Sequence, residues 1–495
     1  MNRSIALPTR SRFFGRLHRT RAWSRPAALV SDARHQRGRR LFALAPLAAA
    51  IIAGSCDWGL DPDDEEVRVS SASIDNSAGP IFRTLALSLD GPALVEVDYW
   101  ADDLPRLRIH STAPASAHTI PLARLRPNRR YAYEVRTVTL AGRRSRPYAG
   151  EFTTGALPED LAAVSFTATG RPETPLALVH LYAPEGFRGY AAIDADGEVV
   201  WFFRTQDFPY AITRHANGNF VAMDKGRGLL EITPAGEVLH ELPQDVAHRN
   251  LHHEAIATPR NTILFLAQEA RDYAGRTIMG EAIWEWTPEA GETVRRWSSH
   301  DFLDPAVDWG PRSTDNDWLH ANALHIGARG NILLSLRRLN QVISIAPDWS
   351  RIEWRLGGIG ATIQVPEDDP FTGQHTPAEV GPGRILLFDN RHELGGYSRA
   401  VEFELAGNQA RKVWEWRPAR DNFAFAVSSA RRLPNGNTLV GFGMRPGLNG
   451  STGPIEVYEV SSGGDVLWHV VIDGVDTMYR AEPLETIAGE FVVAP

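Results

Sequence analysis

An internal repeat runs from about residue 160 to the end and constrains the fold more than any other feature of the sequence. Each copy holds a β-prone run rich in Trp and acidic residues, a turn, a second β-run, a loop and a final apolar strand. Asn-Gly pairs such as Asn217-Gly218 and Asn435-Gly436 supply the positive φ that tight hairpins need. A period of roughly 50–65 residues with about four strands per copy is typical of propeller blades. The sequence therefore predicts an all-β chain in which residues 157–495 form a six-bladed β-propeller.

The two ends of the repeat region predict how the propeller closes. The sixth copy ends the chain at Phe491-Val-Val, and the first strands lie near Leu176-Ala-Leu-Val-His. We expect the strands near Leu176 to close the ring. The Trp residues of Trp284-Glu-Trp286 and Trp414-Glu-Trp416 alternate along their strands, and we expect them to pack in the cores of the blades.

Residues 67–156 carry a second, shorter β pattern. Alternating runs separated by polar or Pro/Gly turns predict a small antiparallel β-sandwich. These runs are Arg83–Leu89, Ala93–Tyr99, Tyr131–Val138 and Glu151–Thr154. The stretch from Leu125 to Tyr133, with the Phe152-Thr-Thr-Gly that follows, resembles a fibronectin type III domain. The region holds no cluster of chemically capable residues, so we expect a structural or docking module.

The first 56 residues indicate export. A basic cluster at Arg37–Arg40 precedes an apolar run from Leu41 to Ala53, and small residues then lead to Cys56, the only cysteine. The apolar run is too short to span a bilayer comfortably. The segment resembles a bacterial lipoprotein signal, which implies that Cys56 is lipidated and anchors the protein to a membrane, in the periplasm or at the cell surface. The alternative is an ordinary signal peptide. The acidic residues 57–66 then form a linker.

Length and charge narrow the range of partners. A chain of 495 residues is long for one domain, so at least two folded units are expected. The formal net charge of −8 leaves no excess positive field for a phosphate backbone, which argues against a nucleic-acid partner.

Three histidines occupy the same loop in three consecutive copies of the repeat. His253 and His375 each stand eight positions before the turn residue of their copy, and His320 stands ten before its own. In a propeller the innermost strand of each blade lines the axis, and the loop entering it lies at one mouth. The three imidazoles are therefore predicted to converge on the axis and form a site.

The remaining copies contribute further polar side chains to the predicted funnel. At the equivalent offset the first, fifth and sixth copies have Tyr210, Ser428 and Tyr479. Arg337 is expected at the far end of the strand that His320 opens, directed to the same side. Arg338 is the alternative, because a register shift of one residue exchanges the two faces of a strand.

A pocket rich in hydrogen-bond donors and poor in carboxylates suits an oxyanion. Arginine and donor histidines compensate charge on sulfuryl or phosphoryl oxygens. A neutral histidine can also attack as a nucleophile and carry the group covalently. The sequence has neither a P-loop nor a Rossmann fingerprint, so a nucleotide group donor is not expected. We predict an enzyme without a cofactor.

Five motifs resemble, in the same order, those of the bacterial arylsulfate sulfotransferase family: Leu251-His-His-Glu-Ala, Asp317-Trp-Leu-His320-Ala-Asn322, Ser335-Leu-Arg337, Trp354-Arg-Leu-Gly-Gly and Gly373-Gln-His375. The resemblance covers roughly residues 160–495. It implies a secreted six-bladed propeller that moves sulfate from an aryl sulfate ester to a phenolic acceptor, through a sulfohistidine and without the nucleotide sulfate donor. It implies that His375 is the nucleophile, that His253, His320 and Arg337 stabilise the sulfuryl oxygens or protonate the leaving phenol, and that Asn322 supports them.

Two other functions compete with this interpretation. Histidine-rich funnels bind zinc or copper, and His252-His253-Glu254 is the candidate segment. Adjacent residues on a strand point to opposite faces, however, and a nearby Arg337 disfavours a cation, so no metal is predicted. The second alternative is a lipid-anchored binding protein without catalysis, whose funnel captures a sulfated or phenolic ligand. His252, His300, His325 and His392 lack the register of the other three and are predicted to be structural.

Overall fold

β-Strands make up nearly all the regular structure of the chain, whose computed structural model describes residues 66–244 and 250–493. The predicted extension and signal with Cys56, and the linker as far as residue 65, lie outside the described residues. Within the described ranges, no helix combines the length and apolar content needed to cross a membrane. The short helices are α1 (Glu159–Ala162) and three single 3₁₀ turns at Ser299–Asp301, Arg337–Leu339 and Leu448–Gly450.

Six strands precede the repeats: β1 (Val69–Asp75), β2 (Arg83–Trp100), β3 (Leu107–His110), β4 (Ala115–Leu122), β5 (Arg130–Val138) and β6 (Tyr148–Thr153). The prediction of separate strands at Arg83–Leu89 and Ala93–Tyr99 is wrong, because β2 runs through both. A register shift against β4 between Ser88 and Ala93 absorbs the intervening Gly-Pro. The first half of β2 pairs with β1 and β4, and the second half pairs with β3 and β5.

The repeat region forms six four-stranded antiparallel blades, as predicted, and the sixth carries a fifth strand at its outer edge. In chain order the strands are β7 (Ser165–Gly170), β8 (Leu176–Tyr182), β9 (Arg188–Ile193), β10 (Val199–Arg204), β11 (Pro209–Arg214), β12 (Phe220–Asp224), β13 (Gly228–Ile232), β14 (Val238–Pro243), β15 (Leu251–Ala257), β16 (Ile263–Tyr273), β17 (Arg276–Thr287), β18 (Glu292–Ser298), β19 (Ala321–Ile326), β20 (Ile332–Leu336), β21 (Gln341–Ile345), β22 (Ile352–Leu356), β23 (His375–Gly381), β24 (Arg384–Asp389), β25 (Arg399–Ala406), β26 (Gln409–Trp416), β27 (Ser429–Arg432), β28 (Thr438–Phe442), β29 (Ile455–Val460), β30 (Val466–Asp473), β31 (Thr477–Leu484) and β32 (Phe491–Val492).

Both ends of the repeat region close the ring. β31 is the innermost strand of the first blade and pairs with β8, while β7 forms the outer edge of the sixth blade beside β30. The prediction that Phe491-Val-Val ends the sixth blade is wrong, because β32 pairs with β3 of the N-terminal region. The Glu490 carboxylate accepts the backbone N–H groups of Ile487 and Ala488 and so fixes the turn that directs the chain there.

Apolar side chains fill the space between neighbouring blades. One buried cluster joins the second blade, through Val221 and Leu229, to the third, through Phe265 and Trp286. Each other pair of neighbouring blades shares a cluster of the same kind. Fully burying such a side chain contributes roughly 1.5–3 kcal/mol. Every second residue of a strand faces one neighbour, so the alternating sequence pattern builds a ring of six cores.

The innermost strands β11, β15, β19, β23, β27 and β31 surround the axis. They contact one another side by side around the ring, so their first residues gather at one mouth. His253, His320 and His375 all lie at or just before the beginnings of these strands. The fold therefore brings loops from distant parts of the chain to one end of the channel.

Candidate active site

The backbone turns out of regular β geometry where two of the histidines meet the axis. His253 and His320 have φ of 59° and 52°, in the left-handed region, and Thr376, next to His375, has φ of 50°. Such conformations cost non-glycine residues on the order of 1 kcal/mol or more, and they cluster at functional sites. The ladders of β15, β19 and β23 break register beside these residues. As a result the rings of His253 and His320 lie 4.8 Å apart between centroids.

His375 is buried and is held through one ring nitrogen. Its Nδ1 lies 2.6 Å from Asn390 Oδ1 and 3.1 Å from the carbonyl of Gly373. The Asn390 amide is oriented by its own Nδ2, which donates to the carbonyls of Ala424 and Val427. Both neighbours of Nδ1 are thus acceptors, and Nδ1 carries the proton. A neutral His375 presents an unprotonated Nε2.

Electrostatics keep His375 neutral. Burial lowers its pKa well below the ordinary 6.5, and the nearby charge of Arg337 lowers it further. The Asn390 amide opposes this shift but carries no charge of its own. The ring is therefore a base with its lone pair on Nε2 at neutral and mildly acidic pH.

His320 is anchored in the same way, but by a carboxylate. Its Nδ1 donates to Asp317 Oδ2 at 2.8 Å. Burial raises the pKa of Asp317, yet hydrogen bonds from His320 and Arg338 outweigh this and hold the pKa at about 2. Burial lowers the pKa of His320 from 6.5, and Asp317 works against the decrease. Of the three histidines, His320 is the one whose imidazolium form has a directly bonded counter-charge.

The third histidine is anchored by another imidazole. His252 Nε2 donates to Glu281 Oε2 at 2.9 Å, so a neutral His252 accepts at Nδ1. The His253 Nδ1–H then donates to it across 2.8 Å and leaves Nε2 of His253 free. Burial lowers the pKa of His253 well below 6.5, and His320 and His252 lower it further. The prediction that His252 and His253 point to opposite faces is wrong, because the left-handed backbone at His253 interrupts the alternation.

Arg337 is a buried guanidinium that makes no ion pair within the described parts of the chain. Its Nη2 donates to His392 Nδ1 at 2.7 Å and to the Phe425 carbonyl at 3.5 Å, and its Nε is buried without a hydrogen-bond partner. Burial, Arg338 and Arg312 lower its pKa to about 10. The guanidinium therefore remains charged at neutral pH and has hydrogen-bonding capacity to spare for an anion.

The structure corrects the predicted position of Arg337 and gives its neighbour Arg338 a different role. Arg337 lies just after β20, not on the strand that follows His320. The β19–β20 hairpin returns the chain to the same mouth, where the Arg337 N–H donates to the His320 carbonyl. Arg338 instead forms an ion pair with Asp317. The two arginines are thus distinguished by their partners: one holds a carboxylate and the other faces the histidines.

The other residues predicted for the site differ in how closely they approach the axial histidines. The ring of Tyr210 lies 5.0 Å from that of His253, and the Tyr479 hydroxyl donates to the His253 carbonyl at 3.1 Å. The Asn322 amide donates to the Gln374 carbonyl at 2.8 Å, and its buried Oδ1 has no partner among the described residues. Ser428 is not brought into contact with the histidines, because its hydroxyl bonds the backbone of Gly443 and Ala426.

Several residues of the site were not predicted from the sequence. His252 and His392 were taken as structural, although they bond His253 and Arg337 directly. Asn390 and Asp317 orient two of the imidazoles. Arg480 and Glu254 form a buried ion pair at 2.7 Å beside them, and the Arg480 guanidinium also donates to the Asn322 carbonyl. His252 and Glu254 adjoin His253 in the sequence, and Arg480 adjoins Tyr479, so proximity to a predicted residue could have indicated these three. Asn390 had no such signal.

A pocket of about 330 Å³ opens beside this group, lined by Tyr210, His252, His253, Asp317 and His320 among others. The pocket is large enough for a single aromatic ring with a substituent. The described residues contain no group of three or more His, Cys, Asp or Glu side chains arranged to hold a metal ion. The arrangement supplies three imidazole Nε2 atoms and an unpaired guanidinium, which together suit transfer of an anionic group.

Solved structures match the chain at low similarity. A Bacteroides caccae protein of unknown function is 17% identical with a TM-score of 0.42, and covers 62% of this chain and 98% of its own. A putative 6-phosphogluconolactonase from Bacteroides uniformis is 11% identical with a TM-score of 0.36, and covers 79% of this chain and 99% of its own. Similarity at this level says nothing about the reaction. No significant match was found among curated protein sequences.

The model of one protein family matches most of the propeller. It is described as arylsulfotransferase (ASST), and the match covers residues 167–480. This range contains all three axial histidines, Arg337 and the surrounding residues that orient them. The chain belongs to the arylsulfotransferase family.

Proposed function

We propose that the protein transfers sulfate from an aryl sulfate ester to a phenolic acceptor through a sulfohistidine on His375. One observation carries the assignment of roles. All three axial histidines are held through Nδ1, but their partners differ: an amide at His375, a carboxylate at His320 and the imidazole of His252 at His253. A carboxylate stabilises the protonated form of its histidine, and a neutral amide does not. His375 is therefore best suited to attack, and His320 to carry a proton.

In the first step, Nε2 of His375 attacks the sulfur of the donor. The N–S bond forms as the bond between sulfur and the aryl oxygen breaks, and the electron pair leaves with the phenolate. The imidazolium of His320, paired with Asp317, can return a proton to that oxygen. The sulfuryl group remains on His375 as a covalent intermediate.

In the second step, the oxygen of the acceptor phenol attacks the same sulfur. The N–S bond breaks and its electron pair returns to Nε2 of His375, while the phenolic proton passes to His320. The donor phenol leaves before the acceptor enters, so both aryl groups occupy the same pocket in turn. The enzyme ends the cycle in its starting protonation state.

Arg337 supports both steps by compensating charge. The sulfuryl oxygens carry negative charge throughout the transfer, and Arg337 is a guanidinium without a carboxylate partner among the described residues. Its Nε has an unused proton in a buried setting. Such preorganised donors are worth more in a dry site than in water, because they need no reorganisation during the reaction.

The test is acceptor-dependent release of nitrophenol from para-nitrophenyl sulfate, followed by mass spectrometry of the protein with donor alone. The proposal expects a sulfuryl adduct on the peptide that contains His375, and its loss on adding phenol. Release at the same rate without acceptor would indicate a sulfatase instead. His375 must be neutral to attack, His320 must be protonated to return a proton to the leaving phenolate, and burial lowers the pKa of both. Activity should therefore follow a bell-shaped pH profile whose optimum lies below pH 6.5.

We also propose that the protein is exported and anchored through a lipid on Cys56, with the fibronectin-like module as a spacer or docking unit. The basic cluster, the apolar run and the small residues before Cys56 support this. Metabolic labelling with palmitate tests it: the wild-type protein should incorporate label and fractionate with membranes, and Cys56→Ala should do neither. Labelling that persists in Cys56→Ala would refute the anchor.

A further inference from the structure

We propose a second anion-binding site at the rim of the histidine mouth of the channel, formed by Arg312 and Arg337 against the Phe425 ring. It would bind a carboxylate or second sulfate carried by the aryl substrate. The preferred substrates would then be phenols that bear another anionic group. This inference rests on the proposed sulfate transfer and specifies the substrate class.

The charges around Arg312 are arranged to leave it available. Arg312 is half-buried, and no hydrogen bond or ion pair joins it to another described residue. The acidic residues of its own loop already have partners: Asp308 pairs with Arg355, Asp315 with Arg276 and Asp317 with Arg338, and Asp304 accepts the Tyr273 hydroxyl. A guanidinium left unpaired among three paired carboxylates is a ready acceptor of a ligand anion.

Arg312 and Arg337 face a common aromatic side chain. Their guanidinium carbons lie 5.5 Å and 5.7 Å from the centroid of the Phe425 ring, and the ring of His392 stacks on Phe425 at 4.8 Å. Phe425 is itself partly exposed. An aryl ring against this wall, with its sulfate at Arg337, has a second cation within reach of a substituent elsewhere on the ring.

The backbone around Arg312 is fixed relative to Arg337. The Ser313 hydroxyl donates to the Trp318 carbonyl at 2.6 Å and accepts the N–H of Gly310 at 3.0 Å. A Cβ at Gly310 would come within 1.9 Å of the Arg338 carbonyl oxygen, so the loop packs directly on the segment that carries Arg337. The position is therefore set by the fold, and only the Arg312 side chain remains free to move.

Outside this loop, the Glu393 carboxylate also acts on the charge of Arg337. Its charge opposes the decrease in the pKa of Arg337, but it forms no ion pair with Arg337 or Arg312. Its side chain is exposed, where water screens its charge. The field at the rim thus stays positive in a protein whose net charge is negative.

The experiment compares two acceptors that differ only in charge, para-hydroxyphenylacetate and its neutral amide, with para-nitrophenyl sulfate as donor. The wild-type protein should show a kcat/KM about 10-fold higher for the carboxylate. Arg312→Gln should reduce this ratio to near one, and Arg312→Lys should restore part of it. Arg420→Gln removes an exposed arginine of the loop between β26 and β27 that pairs with Glu456; it is the control and should keep the wild-type ratio. The ratio should also fall as ionic strength rises.

Each other outcome contradicts a specific claim. Equal kcat/KM for both acceptors in the wild-type protein would overturn the rim site and leave sulfate transfer intact. A proportional loss with both acceptors in Arg312→Gln would also overturn it, because Arg312 would then act on the transferred group itself. Failure of the wild-type protein to transfer sulfate to either acceptor would refute the proposed function instead.

Discussion

Both ends of the propeller channel carry arginine side chains, but these differ in whether a partner residue satisfies their charge. The end formed by the last residues of the inner strands has the larger cavity, about 790 Å³, and its arginines have partners: Arg432 pairs with Glu402, and Arg214 donates to two backbone carbonyls. Arg431 forms a two-pronged ion pair with Glu482, and Arg480, between the two ends, donates through Nη1 to both carboxylate oxygens of Glu254. The pocket at the histidine end is about 330 Å³, and there Arg337 has no carboxylate partner in the part of the chain that the structure describes.

The difference shows that unsatisfied polar groups, not cavity size, locate the candidate site. A paired arginine at one end stabilises the fold and has little left for a ligand. The unpaired arginine at the other end costs stability, since burial disfavours its charge. Such a cost is expected where the fold reserves a charge for an anion in the pocket.

The largest effect is expected for the nucleophile at the histidine end. His375→Ala should lower sulfate transfer by about 10⁴-fold or more and eliminate the covalent adduct, because the proposal assigns the attacking Nε2 to His375 and gives the other two axial histidines proton transfer and stabilisation. Steady-state transfer and mass spectrometry measure both. If His375→Ala retains more than a few per cent of transfer while His253→Ala or His320→Ala loses all of it, the nucleophile has been assigned to the wrong blade.

The next effect compares one residue type at the two ends. Arg337→Gln should reduce kcat/KM by about 10²–10³-fold, because it removes charge compensation at the sulfuryl oxygens. Arg431→Gln should change kcat/KM less than about 3-fold but lower the free energy of unfolding by about 1–2 kcal/mol, since Glu482 loses its partner. Urea unfolding gives the second quantity. Similar activity losses in both variants would remove the distinction between the two ends.

A smaller effect separates Arg337 from its neighbour. Arg338→Gln should reduce kcat/KM only about 10-fold, because it acts through Asp317 and His320 and does not touch the transferred group. Its signature is a change in the pH profile, as Asp317 then has one cation fewer to hold its pKa near 2. A loss as large as that of Arg337→Gln, with an unchanged pH profile, would assign the anion contact to Arg338.

The smallest effect on transfer is expected from His180, whose contribution is to stability. Its Nδ1 donates to the Tyr210 carbonyl, and burial lowers its pKa to about 4. Between pH 6.5 and 4 the unfolded chain binds the proton and the folded chain does not, so the free energy of unfolding falls as pH is lowered through this window, by roughly 3 kcal/mol. Denaturation of wild type and His180→Phe at pH 7 and 5 checks this: an equal pH dependence in both would contradict it.

Much of the architecture could be predicted because alternation and turn chemistry are local. The Asn-Gly turns and apolar strands fixed the number of blades. The closure of the ring could not be predicted in the same way, because the sequence around Phe491 and Val492 resembles that of any blade strand. Only the position of the partner strand β3 shows where these residues pair. Likewise His252 and His253 were predicted to diverge, because a single left-handed φ has no sequence signature at a histidine.

Site residues that occupy equivalent positions in the repeats could be predicted from the sequence, whereas residues that act through a contact with another side chain could not. The register of the repeats indicated His253, His320 and His375. The amide that orients His375 stands 15 residues away, just after β24, and belongs to no motif. Strand alternation alone did not distinguish Arg337 from Arg338, and only the motif favoured Arg337, because what separates the two is their partner. Such information exists only after the chain has folded.

The closing strand also sets when the protein can become active. β31 completes the first blade by pairing with β8, about 300 residues earlier in the chain, and it carries Tyr479 and Arg480 to the channel. Contacts over such separations form late and slow the folding of β-rich chains. A partly synthesised or partly exported chain would have His253, His320 and His375 but no closed channel around them. Catalytic competence should therefore arise in one step, only after the last blade has been delivered to the first.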